Sequence, residues 1–469
     1  MSPDKTFIIG AGSSGMGCAY TLARNKQPFC VIEKDSTSGG LCSTINFCGY
    51  LFDIGGHRFI TKSEEVNQLW HEVMSSDMLR VKRLSRIYYK KKYFRYPLRF
   101  LNAFWNLGII ESFLSVMSYL FCKFRRPGND DTFEGWIINR FGKRLYNIFF
   151  KNYTEKVWSV ACQEISADWA KQRIKGLSLR VALQNAISRN KTGIPKTLSS
   201  EFLYPRTGPG EFYKRLESLS VLHGGRFSFN TCVKSIYHDK NRIVKIKVKD
   251  VFSSKTEELD LDYLFSSMPL PLLIKSLKPK PPEEVLACAE KLKFRSFMVI
   301  NVILDQKDIF PDQWIYVNSP KVRLGRIQNY KNWSPAMVTD LNKTSLGLEY
   351  FCAEEDDLWN MDDVALIDYA LRELAYIGIT SRKHLINGFI VRRANTYPVY
   401  SLDYRENIAT IQQYLNNFSN LQTIGRSGLF RYDNSDHALL TGIYAARNFL
   451  KQGNYDLWNV NTDKDYLEY

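Results

Sequence analysis

Three clusters in this 469-residue chain combine residue types and spacings that can do chemistry. In the first, Gly10-Ala11-Gly12-Ser13-Ser14-Gly15 follows the apolar run Phe7-Ile8-Ile9 and precedes Met16 to Ala23, which reads as a helix. At these spacings Gly10 allows a tight turn, Gly12 leaves room for a pyrophosphate, and Gly15 lets helix and strand pack closely. The helix start offers N–H groups and a positive dipole end to phosphate. Glu33-Lys34 closes the second apolar run, Phe29-Cys30-Val31-Ile32, where a carboxylate can accept hydrogen bonds from a ribose diol. The cluster predicts a dinucleotide site. In the second, Gly55-Gly56-His57 puts a histidine on a bendable loop, able to donate a proton or change charge near neutral pH. The third is Gly425-Arg426 with Asp436-His437-Ala438. A glycine there permits close backbone approach, and Asp436 as N-cap would open a helix whose dipole favours an anionic group. His437 also reads as a structural histidine.

These clusters need strands that end together and helices that start there. Tyr50 to Asp53 is a strand entering the second glycine turn, and Gly39-Gly40-Leu41 is another turn. Ile87-Tyr88-Tyr89 and Tyr93 to Tyr96 form a hairpin through Lys90-Lys91-Lys92. From Leu98 to Trp158 the pattern is helical, with a capping signature at Asp131 to Glu134. Lys191 to Gly210, with three prolines, reads as a linker. Strands are expected at Arg226 to Val233, Ile243 to Val248 and Tyr263 to Met268. An antiparallel sheet is expected from Phe297–Leu304, Gln313–Val317, Val322–Gln328 and Leu346–Phe351, then helices at Asp362–Tyr376 and Asp436–Leu450. The predicted architecture is α/β. A Rossmann-like dinucleotide lobe is assembled from 1–90, 196–275 and 390–469. Residues 91–195 make a helical lobe and 276–389 a substrate lobe built on the sheet.

Composition narrows the setting. Nine cysteines without a C-x-x-C pair argue for reduced thiols in the cytoplasm and no metal site. Cys42 and Cys48 have no helpful partner nearby in sequence. The first strand begins so early that no signal or transit peptide is expected. The net charge is +16, and nine basic residues with no acid lie between Arg80 and Arg99. An anionic substrate or a membrane surface would answer that charge; no nucleic-acid module is present. Leu98 to Cys122 is apolar but interrupted by Arg99, Asn102, Asn106 and Glu111, a poor membrane span. A buried helix pair is expected there; the alternative is peripheral membrane contact through 80–122.

The motifs together resemble one flavoprotein superfamily, that of the amine oxidases, protoporphyrinogen oxidase, phytoene desaturases and UDP-galactopyranose mutases. GAGSSG, an acid after the second strand, GGL, FDIGGHRF and GRSGLFRYDNSDHALLTG occur in the order of that superfamily. The resemblance implies FAD, held non-covalently because the C-terminal motif has no cysteine to attach it. Gly10, Gly12, Ser13, Ser14, Gly15, Glu33, Lys34, Gly40, Leu41, Gly55, Gly56, His57, Val233, Gly425, Arg426, Asp436, His437 and Ala438 would contact it. Val233 would lie against the adenine. Within the superfamily the chain looks most like the mutases. Gly55-Gly56-His57 resembles their histidine loop. Arg326, nine residues before Pro335, resembles an arginine that binds the substrate diphosphate, and Tyr397 and Tyr432 resemble two tyrosines that reach it. One departure stands out: the mutases' other substrate arginine aligns with Leu203, and Arg206 is the nearest replacement. The resemblance implies exchange of pyranose and furanose forms of a UDP-galactose-like nucleotide sugar through N5 of reduced FAD, for cell-surface polysaccharide. His57 and Arg326 would be catalytic, and NAD(P)H or another reductant would supply electrons. The alternative is an FAD-dependent oxidase or desaturase of an amine or apolar substrate.

Overall fold

The computed structural model describes residues 5–98, 100–173 and 201–460. Arg99, the 195/196 boundary and the first half of the expected linker lie outside them. The nucleotide sheet has five parallel strands in the order Leu421–Thr423, Tyr263–Ser266, Thr6–Ile9, Cys30–Ile32, Arg226–Ser228. Thr6–Ile9 is central and wholly buried, because a parallel sheet is covered on both faces. On one face the first helix, Ser13–Arg24, packs against the closing helix, Ser435–Phe449. The two approach at backbone distance. A Cβ on Gly442 would stand 1.8 Å from the Ser14 carbonyl oxygen, and one on Gly17 would stand 2.5 Å from that of Leu439.

The second sheet has seven strands: Leu385–Pro398, Phe294–Leu304, Thr344–Cys352, Arg326–Asn329, Trp314–Val317, Ser85–Tyr89, Lys92–Arg95. It is antiparallel except where Trp314–Val317 runs parallel to Ser85–Tyr89. The hairpin 85–95 therefore belongs to this sheet, not to a nucleotide segment ending at residue 90 or to a purely helical segment beginning at 91. Helix Asp363–Tyr376, capped by the Asp362 carboxylate accepting from Ala365 N–H at 3.0 Å, covers the sheet with Leu366, Leu371 and Leu374.

Three expectations change. Glu201–Pro205 is a strand paired with Met78–Lys82, and Gly210–Leu222 is a helix, so the second half of the expected linker is structured. Arg226 to Val233 breaks at Asn230, whose φ is +53°, and Thr231–Asp239 enters a separate four-stranded sheet. The apolar segment forms helices Phe100–Leu107 and Ile109–Arg125, but they are not a buried pair: Trp105, Ile110 and Phe124 are 71%, 78% and 84% exposed. The inner face of Ile109–Arg125 carries Ser112, Ser115, Tyr119 and Cys122. Its apolar residues are turned outward.

Candidate active site

The first glycine turn forms because Gly10 adopts φ +94° and donates its N–H to the Ile32 carbonyl at 2.8 Å. A Cβ on Gly15 would stand 1.8 Å from the Gly10 carbonyl oxygen, so strand and helix close up only with glycine there. At Gly12 a Cβ would meet nothing within 4 Å. That opening lies at the N-cap of the first helix, whose first turn has neither an acid nor a side-chain cap. Glu33 accepts from the Ala11 N–H at 2.6 Å and the Asp35 N–H at 2.8 Å, and burial pushes its carboxyl above the usual value. Each oxygen keeps a further lone pair for a ribose hydroxyl. Lys34 is exposed beside it. The turn 39–41 folds over this opening: Gly39 N–H donates to Ala11 O at 2.8 Å, and a Cβ on Gly40 would stand 3.1 Å from Gly12 Cα. The Ser38 hydroxyl is buried with no hydrogen-bond partner among the described residues. An anion-accepting helix start, a glycine cradle and an unspent hydroxyl fit the nucleotide half of FAD. Val233 lies in Thr231–Asp239, whose first N–H donates to Glu33 O at 2.9 Å.

A second set of contacts ties the histidine loop to this turn. Ser13 Oγ and Tyr213 Oη are 2.7 Å apart, Ser13 Oγ is 3.7 Å from Cys42 Sγ, and Cys42 Sγ is 3.7 Å from His57 Nδ1. His57 Nε2 faces the Ile54 carbonyl at 2.9 Å, which marks it as the protonated nitrogen. Burial opposes charge on both Cys42 and His57. Their mutual attraction outweighs it, holding the thiol below its ordinary value and the imidazole above. The expectation that Cys42 lacks a partner is thus corrected. The two are fifteen residues apart, and only the strand pair Thr44–Phe47 and Tyr50–Asp53 brings them together.

The loop also reaches the large sheet. A Cβ on Gly55 would stand 3.6 Å from Glu349 Oε1 and 3.9 Å from Arg326 Nη2; one on Gly56 would stand 2.8 Å from Gln328 Nε2. Arg326 donates from Nε to Glu349 Oε2 at 2.8 Å and from Nη2 to the same oxygen, while Gln328 donates to Glu349 Oε1 at 2.9 Å. Burial works against the guanidinium's charge, but the Glu349 carboxylate prevails and keeps it protonated far above neutral pH. Nη1 is the nitrogen that Glu349 does not hold. Tyr397 stacks on Tyr432 with ring centres 5.5 Å apart and planes 15° apart, and Trp158 meets both rings edge-on. Arg426 lies over the two rings at 5.5 and 4.9 Å, and donates to the Asp433 carbonyl at 2.9 and 2.6 Å. Burial raises the Tyr397 hydroxyl's proton affinity, so it stays a donor.

The C-terminal motif meets the first turn directly. Gly425 has φ +76°, and a Cβ there would stand 2.2 Å from Ser14 Oγ. Its N–H donates to Thr441 Oγ1 at 2.9 Å. Gly425 opens a short helical turn after the strand Leu421–Thr423. Asn434, not Asp436, is the N-cap of the closing helix. Asp436 lies in the first turn, where its Oδ1 accepts from the His437 N–H at 2.9 Å; Asp436, His437 and Ala438 are all buried. Arg206 stands apart. Its side chain is exposed, and its backbone carbonyl accepts from Ser334 Oγ at 2.7 Å. Glu349, Gln328, Tyr213 and Trp158 escaped the sequence reading. Only Gln328 carried a signal there, since it shares a strand face with Arg326 two residues away.

A parallel nucleotide sheet whose glycine turn meets a C-terminal helix start, joined to a large mixed sheet with a half-buried, carboxylate-braced arginine, defines an FAD-dependent flavoprotein. The chain belongs to the family of flavin-containing amine oxidoreductases, whose model matches residues 13–447. Phytoene desaturase of Phycomyces blakesleeanus is 46% identical over 56 residues, which is 12% of this chain and 10% of that protein. A crystal structure of reduced UDP-galactopyranose mutase superposes with a TM-score of 0.83 at 21% identity, covering 98% of this chain and 99% of that one. A protein described as a putative protoporphyrinogen oxidase, from Exiguobacterium sp. 255-15, gives 0.74 at 17% identity, covering 97% and 100%. At such identities the likeness is one of fold.

Proposed function

We propose that this flavoprotein is a mutase that interconverts pyranose and furanose forms of a nucleotide sugar resembling UDP-galactose. The observation that carries the reading is Arg326, half-buried beside the Gly55-Gly56-His57 loop and braced by Glu349 so that one guanidinium edge is left for an anion. Bound FAD, when reduced, supplies an electron-rich N5. The chain has four tasks. Arg326 binds the diphosphate, with Tyr397 and Tyr432 donating hydroxyls. Glu349 and Gln328 fix the guanidinium. The N-terminus of the closing helix favours negative charge on the flavin. Trp158 and the tyrosine pair keep water out. A second reading, net oxidation of an apolar substrate, draws support from the outward-facing apolar helix. Product analysis with UDP-galactopyranose separates the two. Ring exchange is expected with dithionite-reduced enzyme and not with oxidised enzyme, and Arg326→Ala should raise KM by roughly thirty-fold, about 2 kcal/mol. Absence of ring exchange with every UDP-hexose tried, with oxygen or quinone consumed instead, would overturn the mutase reading.

A further inference from the structure

We infer that helices Phe100–Leu107 and Ile109–Arg125 form a docking face for an anionic lipid surface, on which the longer helix lies flat. The inference does not depend on the reaction. Ile110, Phe113, Met117, Phe121 and Phe124 are exposed at successive spacings of three, four, four and three residues. That spacing makes a single stripe along one face of a helix. The opposite face is small or polar, and Ser112 Oγ donates back to the Phe104 carbonyl at 3.2 Å. An apolar stripe turned to water is costly unless something covers it. At Gly108, with φ +87°, the chain bends by 119° into the preceding helix, which presents Trp105 on the outside. Such a bend suits a helix pair lying in one plane. No single helix among the described residues is long and apolar enough to cross a membrane. Interfacial helices combine an apolar face with tryptophan and flanking cations in this way.

Charge identifies the occupant. From Arg80 to Arg126 the chain has twelve basic residues and one acid, Glu111. Arg144 neutralises that acid, donating from Nη2 to Oε2 at 2.9 Å. The hairpin tip, Lys90-Lys91-Lys92, is exposed and joined to the helix pair: Lys92 Nζ donates to the Asn106 carbonyl at 2.6 Å. Lys123, Arg125 and Arg126 are exposed at the far end of the longer helix. Cations thus stand at both ends of the stripe. A second copy would bring two basic faces together, which like-charge repulsion opposes. A bilayer with acidic headgroups answers both the apolar area and the charge.

Flotation of the flavin-loaded full chain with vesicles tests the inference. Binding is expected to vesicles of phosphatidylcholine with phosphatidylserine, and much less to phosphatidylcholine alone. Ile110→Ser, Phe113→Ser and Phe121→Ser combined should cut partitioning by at least about a hundred-fold. Lys90→Glu with Lys91→Glu should cut it by roughly twenty-fold or more, with reduced salt sensitivity. Unchanged flavin absorbance and melting temperature would show these variants to be folded. Brominated lipid should quench tryptophan emission in the unaltered protein, and Trp105→Phe should remove most of that quenching. The inference falls if no vesicle binds the unaltered protein, or if binding survives the triple serine change. It also falls if light scattering finds a dimer that the serine changes dissolve while vesicles stay unbound.

Discussion

Asp53, buried two residues before the histidine-loop glycines, gives the fold a pH signature. Burial lifts its carboxyl from 3.8 to about 6, against the opposing pull of the Tyr204 and Thr44 hydroxyls and of His57. The folded chain therefore holds this proton more tightly than the unfolded chain does. Its contribution to stability is greatest below about pH 4, declines as pH rises to about 6, and above that is a full penalty of roughly 3 kcal/mol. Asp53→Asn has no proton to lose. Measured by melting temperature, the variant should gain on the unaltered protein as pH rises from about 4 to 6; a constant difference would refute the account. At this scale the sequence was legible where partners are close neighbours in the chain. The turn at Gly10 to Gly15 needs only its own residues and their dihedral angles. Glu349 was invisible: its partner Arg326 lies on an adjacent strand, and a glutamate inside an apolar strand carries no motif.

Among elements, the crossing of the first and closing helices depends on two glycines. Alanine is the better helix former by about 1 kcal/mol, so propensity alone predicts that Gly442→Ala stabilises. The 1.8 Å approach to the Ser14 carbonyl predicts the reverse, because a backbone neighbour cannot rotate away. A net loss of about 3 kcal/mol is expected, with weakened FAD retention, read from the melting temperature and the flavin released on dialysis. Unchanged values for both would show that the helices shift freely. The helix pair after Arg95 teaches the complementary lesson. Its apolar content predicted burial, yet burial depends on what other elements offer. Phe133–Phe141 and the chain around Gly142 accept only the small face of Ile109–Arg125: a Cβ on Gly142 would stand 2.7 Å from Tyr119 N. Composition gave a helical pair within Leu98 to Cys122; the break at Gly108 and the orientation were set by geometry and partners that local pattern does not report.

For the molecule as a whole, FAD held in the proposed site would act as a tie between distant parts of the chain. In the proposed site its nucleotide end would meet the first forty residues, and its redox end would meet segments near 57 and 425–438. A ligand bound only by the folded state stabilises it by about 4 kcal/mol at a thousand-fold excess over Kd. Removing the flavin should lower the melting temperature by several degrees, and titrating FAD back should raise it with the logarithm of concentration. A melting temperature indifferent to FAD would contradict this arrangement. One feature bears on how the molecule is made. The strand Leu421–Thr423 completes a sheet whose centre is Thr6–Ile9, and the closing helix seals the face against which the first helix lies. On a ribosome the glycine turn emerges first, then waits through some four hundred residues of synthesis for the partner that closes it. Meanwhile one apolar face of the first helix is left bare, a hazard for aggregation. If the closing helix completes the FAD site, cofactor capture would be a late event in biogenesis, and a chain halted before Gly425 would leave the ribosome with its dinucleotide cradle open on one side.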